Sequence, residues 1–236
     1  FLPVREAVGG HPAALPSDRL EVILDRYDTY AVGECQCRTV MELTGRGCGR
    51  PKGNCMAMGE WARSAVAGGR MREISRRTAL ELKMEAESLG MVSWIMNVES
   101  AKGQVSCSCC GCCCHGLRMI NEFNVPAMFA PPHFLPRFDR EACAYCGKCA
   151  RACPMGSLVV DVGNKEAWQL HERCVGCGQC ALACSKQKAI SMEPVPDYRL
   201  PHDSWFAMIS GNAAEALRGA LGAAWTRSPA STWWRR

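Results

Sequence analysis

The 236-residue sequence contains no run of 18 apolar residues, so no helical membrane span is written in it. Its most apolar tract, Trp205–Trp225, is interrupted by Asn212, Glu215 and Arg218 and reads as an amphipathic helix. Lys and Arg are scattered, with no block of five like charges, and nothing points to a nucleic-acid partner. There is no G-x-G-x-x-G, no P-loop and no acid–base constellation, which removes the common nucleotide signatures. His11, His133, His171 and His202 stand apart and read as packing or surface residues. The opening Phe1-Leu2-Pro3-Val4-Arg5 has neither an initiator Met nor an apolar signal core, which leaves a removed leader open.

Cysteine is what the chain has in abundance, with 18. A count this high suggests a secreted disulfide scaffold. The arrangement argues otherwise. Cys143-x₂-Cys146-x₂-Cys149-x₃-Cys153-Pro154 is repeated 31 residues later as Cys174-x₂-Cys177-x₂-Cys180-x₃-Cys184. Disulfides have no reason to repeat such spacing, whereas a cubane [4Fe–4S] cluster requires it. An x₂ loop supplies three thiolates from one turn of backbone, and the fourth comes from elsewhere. In two-cluster ferredoxins the fourth Cys of each run ligates the other cluster. The expected sets are therefore Cys143, Cys146, Cys149 and Cys184 for one cluster, and Cys174, Cys177, Cys180 and Cys153 for the second. Each cluster with its thiolates adds roughly −2 of charge. The formal charge of +5 thus falls near neutrality in the loaded protein. Thiolates holding iron imply a reducing, cytoplasmic setting.

Ten more cysteines precede this unit. Cys35, Cys37, Cys48 and Cys55, set among Gly45, Gly47, Gly49 and Gly53, form a four-thiolate set suited to a third [4Fe–4S] cluster or a structural zinc. The cluster is the expectation. Six more crowd into Cys107–Cys114, too close together all to face one cubane. Cys107, Cys110, Cys113 and Cys114 are the preferred ligands of a fourth cluster, over Cys109 and Cys112. His115 is a further candidate ligand. A c-type haem is excluded, because C-x-x-C-H before His115 would need Cys where Gly111 stands.

Helical spacing places one helix after Ser17 through Leu20, Ile23, Leu24 and Tyr27. A second is expected over 57–67, and a third is capped by Ser75, with Ala79, Leu82, Ala86 and Leu89 inward and Gly90 at its end. Met91–Val98 reads as a strand and 117–123 as a short helix. Leu158–Val162 and Ala167–Leu170 form a hairpin about Gly163-Asn164, and Ala189–Met192 is the closing strand. The Pro-rich stretch Pro126–Pro136 marks the boundary between domains. The expected architecture is α+β. A helical Cys-rich domain (1–130) is followed by a pseudo-twofold two-[4Fe–4S] ferredoxin domain (131–196) and a C-terminal helical tail (197–236). Trp205, Trp225, Trp233 and Trp234 would dock that tail on a partner.

Residues 143–184 resemble the bacterial-type two-[4Fe–4S] ferredoxin family. The whole layout is similar to larger ferredoxin-like proteins of anaerobes, which join a CxCR element (Cys35-Gln36-Cys37-Arg38) and a CxCCxCCC element (Cys107–Cys114) to the same dicluster domain. Cys109-Cys110-Gly111 also resembles the CCG element of heterodisulfide-reductase-type subunits, which bind noncubane clusters. One departure is Ser185, where the family's proline follows the fourth Cys. The resemblance implies low-potential, one-electron transfer between a redox donor and acceptor, as a non-catalytic subunit of an anaerobic oxidoreductase complex. Two other functions fit the residues. One is a redox enzyme with a substrate-binding or noncubane cluster in 35–114. The other is a zinc-bound scaffold that docks the ferredoxin unit.

Overall fold

A computed structural model describes residues 1–96, 98, 102–123, 129–196, 198, 200, 202–204, 206–207 and 210–211. Pro126 and Trp205, Trp225, Trp233 and Trp234, with most of the predicted tail helix, lie outside the described residues.

The front half is built on a sheet, which corrects the expectation of a helical domain. Its strands are β1 (Tyr30–Gly33), β2 (Cys55–Gly59), β3 (Arg72–Ile74), β4 (Val92–Ile95) and β5 (Gly103–Cys109), all antiparallel in the order β3-β1-β2-β5-β4. Helices cover both faces. On one, Ala31 and Ala57 meet Ala62 and Val66 of α4 (Glu60–Ala67). On the other, Tyr30, Val32, Met56 and Met58 meet Leu20, Ile23 and Leu24 of α2 (Leu20–Leu24) and Ala79 of α5 (Arg76–Ser88). This double coverage hid the central strand. With both faces buried, Met56-Ala57-Met58 carries no polar alternation, and the run merged with the helix that starts at Glu60.

Ser75 caps α5 as expected, its hydroxyl accepting from the Thr78 N–H at 3.1 Å. The buried stripe is Ala79, Lys83 and Ala86, rotated from the expected one, and Leu89 is exposed. Helices α3 (Gln36–Leu43) and α6 (His115–Asn121) each begin directly after a cysteine, Cys35 and Cys114.

In residues 134–194, β6 (Phe134–Phe138) pairs with β9 (Ile190–Pro194), and β7 (Leu158–Asp161) with β8 (Glu166–Gln169). The second pair is the expected hairpin. Strand β6 runs through Pro136, the end of the stretch read as the domain boundary. A two-stranded sheet has a free side on each strand, so a residue without an N–H is tolerated there. Helices α7 (Lys148–Ala152) and α8 (Gln179–Ala183) repeat the cysteine period, each opened by a left-handed glycine, Gly147 and Gly178. The short α1 (Arg5–Val8) lies against α8 and β9.

Candidate functional site

The structure divides the 18 cysteines into neighbourhoods. In the C-terminal unit, Cys149 feels Cys184 and Cys143, while Cys174, Cys177 and Cys180 each feel Cys153. These groupings cross the two runs. Cys143, Cys146, Cys149 and Cys184 line one open surface pocket. Cys146 is exposed, whereas Cys174, Cys177 and Cys180 are buried.

Donors surround the thiols as an anionic centre requires. The Tyr145 N–H reaches Cys143 Sγ at 3.4 Å, and its counterpart one repeat later, Gly176, donates to Cys174. Both residues are left-handed, with φ of 50° and 66°. Tyrosine is tolerated at the first position. At the second, a Cβ would lie 2.4 Å from the Phe134 carbonyl oxygen, so only glycine fits. The buried Ser157 contacts Cys153 Sγ through its hydroxyl at 3.4 Å and its N–H at 3.3 Å, and also bonds Cys174. Burial pushes Cys174 up to about 11 and Cys177 up to about 12, so bare thiols here stay protonated and a bound metal must displace their protons. Ser185 is exposed, and its N–H donates to the Leu182 carbonyl at 3.3 Å, a bond proline could not make.

The ten front cysteines separate in a way the sequence does not announce. Cys48, expected beside Cys35, Cys37 and Cys55, lies instead with Cys110, Cys112 and Cys113, all four Sγ atoms within 4.8 Å of one another. Cys107 and Cys114 are held apart from Cys110 and Cys113. They belong to a chain of thiol contacts running Cys35–Cys37–Cys114–Cys109–Cys107–Cys55. Strand geometry explains the division. Cys107 and Cys109 alternate onto one face of β5, beside Cys55 on β2, while Cys110, Cys112 and Cys113 sit where the chain has left the strand.

Within the six-thiol group, contacts from Cys109 and Cys55 pull Cys107 down, and contacts from Cys109 and Cys37 pull Cys114 down. Backbone N–H groups of Gly116 and Leu117 point at Cys114, that of Arg38 at Cys35, and that of His115 at Cys37. The His115 side chain is exposed, so its backbone serves the site.

Two cations lie beside these thiols: Arg38, read from sequence only as the end of the CxCR element, and Lys83, which was not singled out. Arg38, 3% exposed, donates to the Ser108 carbonyl at 2.8 Å, to Asn54, and toward Cys110 Sγ at 3.9 Å; its Nε–H is buried without a partner. Lys83, 1% exposed, crosses under the sheet to the carbonyls of Ser106 and Cys107, both at 2.9 Å, and to Ser108 Oγ at 3.2 Å. Burial lowers Lys83 to about 8 against the opposing pull of Cys107, Cys109 and Cys55. A cation on the apolar stripe with Ala79 and Ala86 was the available signal. Clustered thiols, N–H donors, an orphaned guanidinium N–H and buried cations all fit anionic metal–thiolate centres.

The two halves share a core. Cys109 and Cys177 pack with Val92, Leu117, Met155 and Val175, and Cys107, Cys114 and Cys153 lie against the same cluster. Gly111 permits this closeness, since a Cβ there would sit 1.9 Å from the Pro154 carbonyl oxygen.

Residues 135–193 match the 4Fe-4S dicluster domain family. No curated protein and no solved structure matches the chain. The chain therefore carries a dicluster domain, which points to [4Fe–4S] binding and iron–sulfur electron transfer, within a fold of mixed helix and sheet. No helix among the described residues is long and apolar enough to cross a membrane.

Proposed function

We propose that this chain relays single, low-potential electrons from an exposed entry at the C-terminal unit to the six-thiol centre of the front half. Bound [4Fe–4S] clusters supply the one-electron chemistry, at potentials the protein sets through burial, charge and hydrogen bonds to sulfur. The chain's own residues supply the order. Cys143, Cys146, Cys149 and Cys184 hold the outer cluster, where Cys146 meets solvent. Cys174, Cys177, Cys180 and Cys153 hold the inner one. Cys35, Cys37, Cys55, Cys107, Cys109 and Cys114 hold the terminus.

The observation that carries this reading is the shared core, in which Cys177 and Cys153 pack with Cys109, Cys107 and Cys114. Cys180, Cys153, Cys149 and Cys184 meet in a second core and link the inner and outer sets. On the face of the β7–β8 hairpin turned away from the cysteines, the cross-strand pair Val159 and Trp168 are 43% and 48% exposed, an apolar patch suited to a redox partner. We assign the chain to a multi-subunit oxidoreductase of an anaerobic cytoplasm, in which donor and acceptor are proteins. The thiolate-rich centres and the family resemblance support that setting.

The test is a redox titration of the full chain, followed by electron paramagnetic resonance, on the parent and Ser157→Ala. At least two reversible one-electron centres with mutually broadened signals are expected. Removing the Ser157 hydroxyl takes a donor from Cys153 and Cys174 and destabilises the reduced, more negative state. One midpoint should fall by about 60 mV, the shift for a tenfold change in a one-electron equilibrium. Centres that cannot be reduced, or that show no mutual interaction, would contradict the relay.

A further inference from the structure

The Cys48, Cys110, Cys112 and Cys113 quartet has a size, and the size identifies its metal. Zn–S bonds of about 2.3 Å place four thiolates at the corners of a tetrahedron with edges of about 3.8 Å. A cubane puts an iron–iron edge between them and spreads its thiolates to more than about 6 Å apart. Here Cys48 Sγ lies 3.9 Å from Cys110 Sγ, Cys113 Sγ lies 3.8 Å from Cys112 Sγ, and all four fall within 4.8 Å. The quartet is too tight for a cubane and the right size for one ion.

Its surroundings agree. All four donors come from the protein, which closes the coordination sphere in the manner of a structural site and leaves no position for substrate. Cys110 and Cys113 are buried against Met41, Cys48 is half-buried, and Cys112 is exposed. Four thiolates around a divalent ion leave an excess negative charge. The Arg38 guanidinium faces Cys110, the Arg50 backbone N–H donates to Cys48, and Arg118 lies close enough to feel Cys113. Cys48 sits on the glycine-rich loop between α3 and β2, and the other three sit on the turn between β5 and α6. An ion here ties two long-range segments together.

We propose that Cys48, Cys110, Cys112 and Cys113 bind one Zn²⁺ as a closed, redox-silent structural site, distinct from the six-thiol centre. The site clamps the glycine-rich loop to the turn that carries Gly111, and so fixes the contact of that turn with Pro154. It stands on its own geometry and does not depend on the relay.

The test uses the full chain isolated anaerobically, as the parent and as Cys112→Ser, with zinc, iron and acid-labile sulfide measured per chain. The exposed Cys112 is the ligand whose change disturbs packing least. One zinc is expected in the parent. In Cys112→Ser the zinc should fall at least tenfold after dialysis against a chelator, with iron and sulfide unchanged. A parent without zinc would overturn the proposal, as would a variant that loses one iron (a mononuclear iron site) or about four iron with sulfide (a cluster). X-ray absorption at the zinc edge of the parent needs no variant. A shell of four sulfurs at about 2.3 Å supports the site, and a shell containing nitrogen or oxygen contradicts it.

Discussion

Cys177→Ala is expected to lose about four iron and four sulfide per chain and to melt at least about 10 °C below the parent. Cys177 is buried in the core that joins the two halves, against Val175, Met155 and Leu117, and its carbonyl accepts the Val4 N–H at 2.8 Å. Removing its sulfur therefore costs a ligand, a share of the metal-binding energy that folds the domain, and packing beneath β4 and β5. Cys146→Ala makes the comparison. It should lose the same quantity of iron from the outer set but melt closer to the parent, because Cys146 is exposed. Iron assay with a thermal melt under anaerobic conditions reads both. Equal melting of the two variants would contradict the view that the inner set organises the interface.

Lys83→Met should destabilise the chain by about 3 kcal/mol, the scale of leaving buried acceptors unpaired. Methionine preserves most of the aliphatic volume, so the loss reports on the ammonium group. In the parent that group satisfies the Ser106 and Cys107 carbonyls and Ser108 Oγ from the face of the sheet opposite the thiols. It also places a cation beneath the strand that carries Cys107 and Cys109, whose charge opposes the desolvation of the lysine. The variant should therefore unfold at lower denaturant concentration and lose iron from the front half first. An anaerobic denaturant titration checks this, and a midpoint equal to the parent's would mean that Lys83 is a passive filler.

Legibility in the sequence followed the range of the interactions. The two cysteine runs of the C-terminal unit, the Ser75 cap and the hairpin around Gly163-Asn164 rest on spacing within a few residues, and each could be read directly. The front sheet rests on pairings such as Ala57 with Val105 and Trp94 with Cys107. Short strands of Met, Ala, Ser and Cys give little local sign of such partners. The same limit governed the thiols. Cys48 is near Cys55 in sequence but meets Cys110 across the fold, and the adjacent Cys109 and Cys110 belong to different groups. No rule of spacing separates those two neighbours. The end of β5 does. Arg38 was visible as the last residue of the CxCR element, yet its part in bridging the thiol groups depends on Ser108 and Asn54, both distant along the chain.

The most direct test of the central claim, that the duplicated quartets cage iron and sulfide, is the count of iron and acid-labile sulfide per chain in anaerobically isolated protein. At least eight of each is predicted, with a broad visible absorption that bleaches on reduction. Colourless protein that contains zinc alone and no sulfide would contradict it.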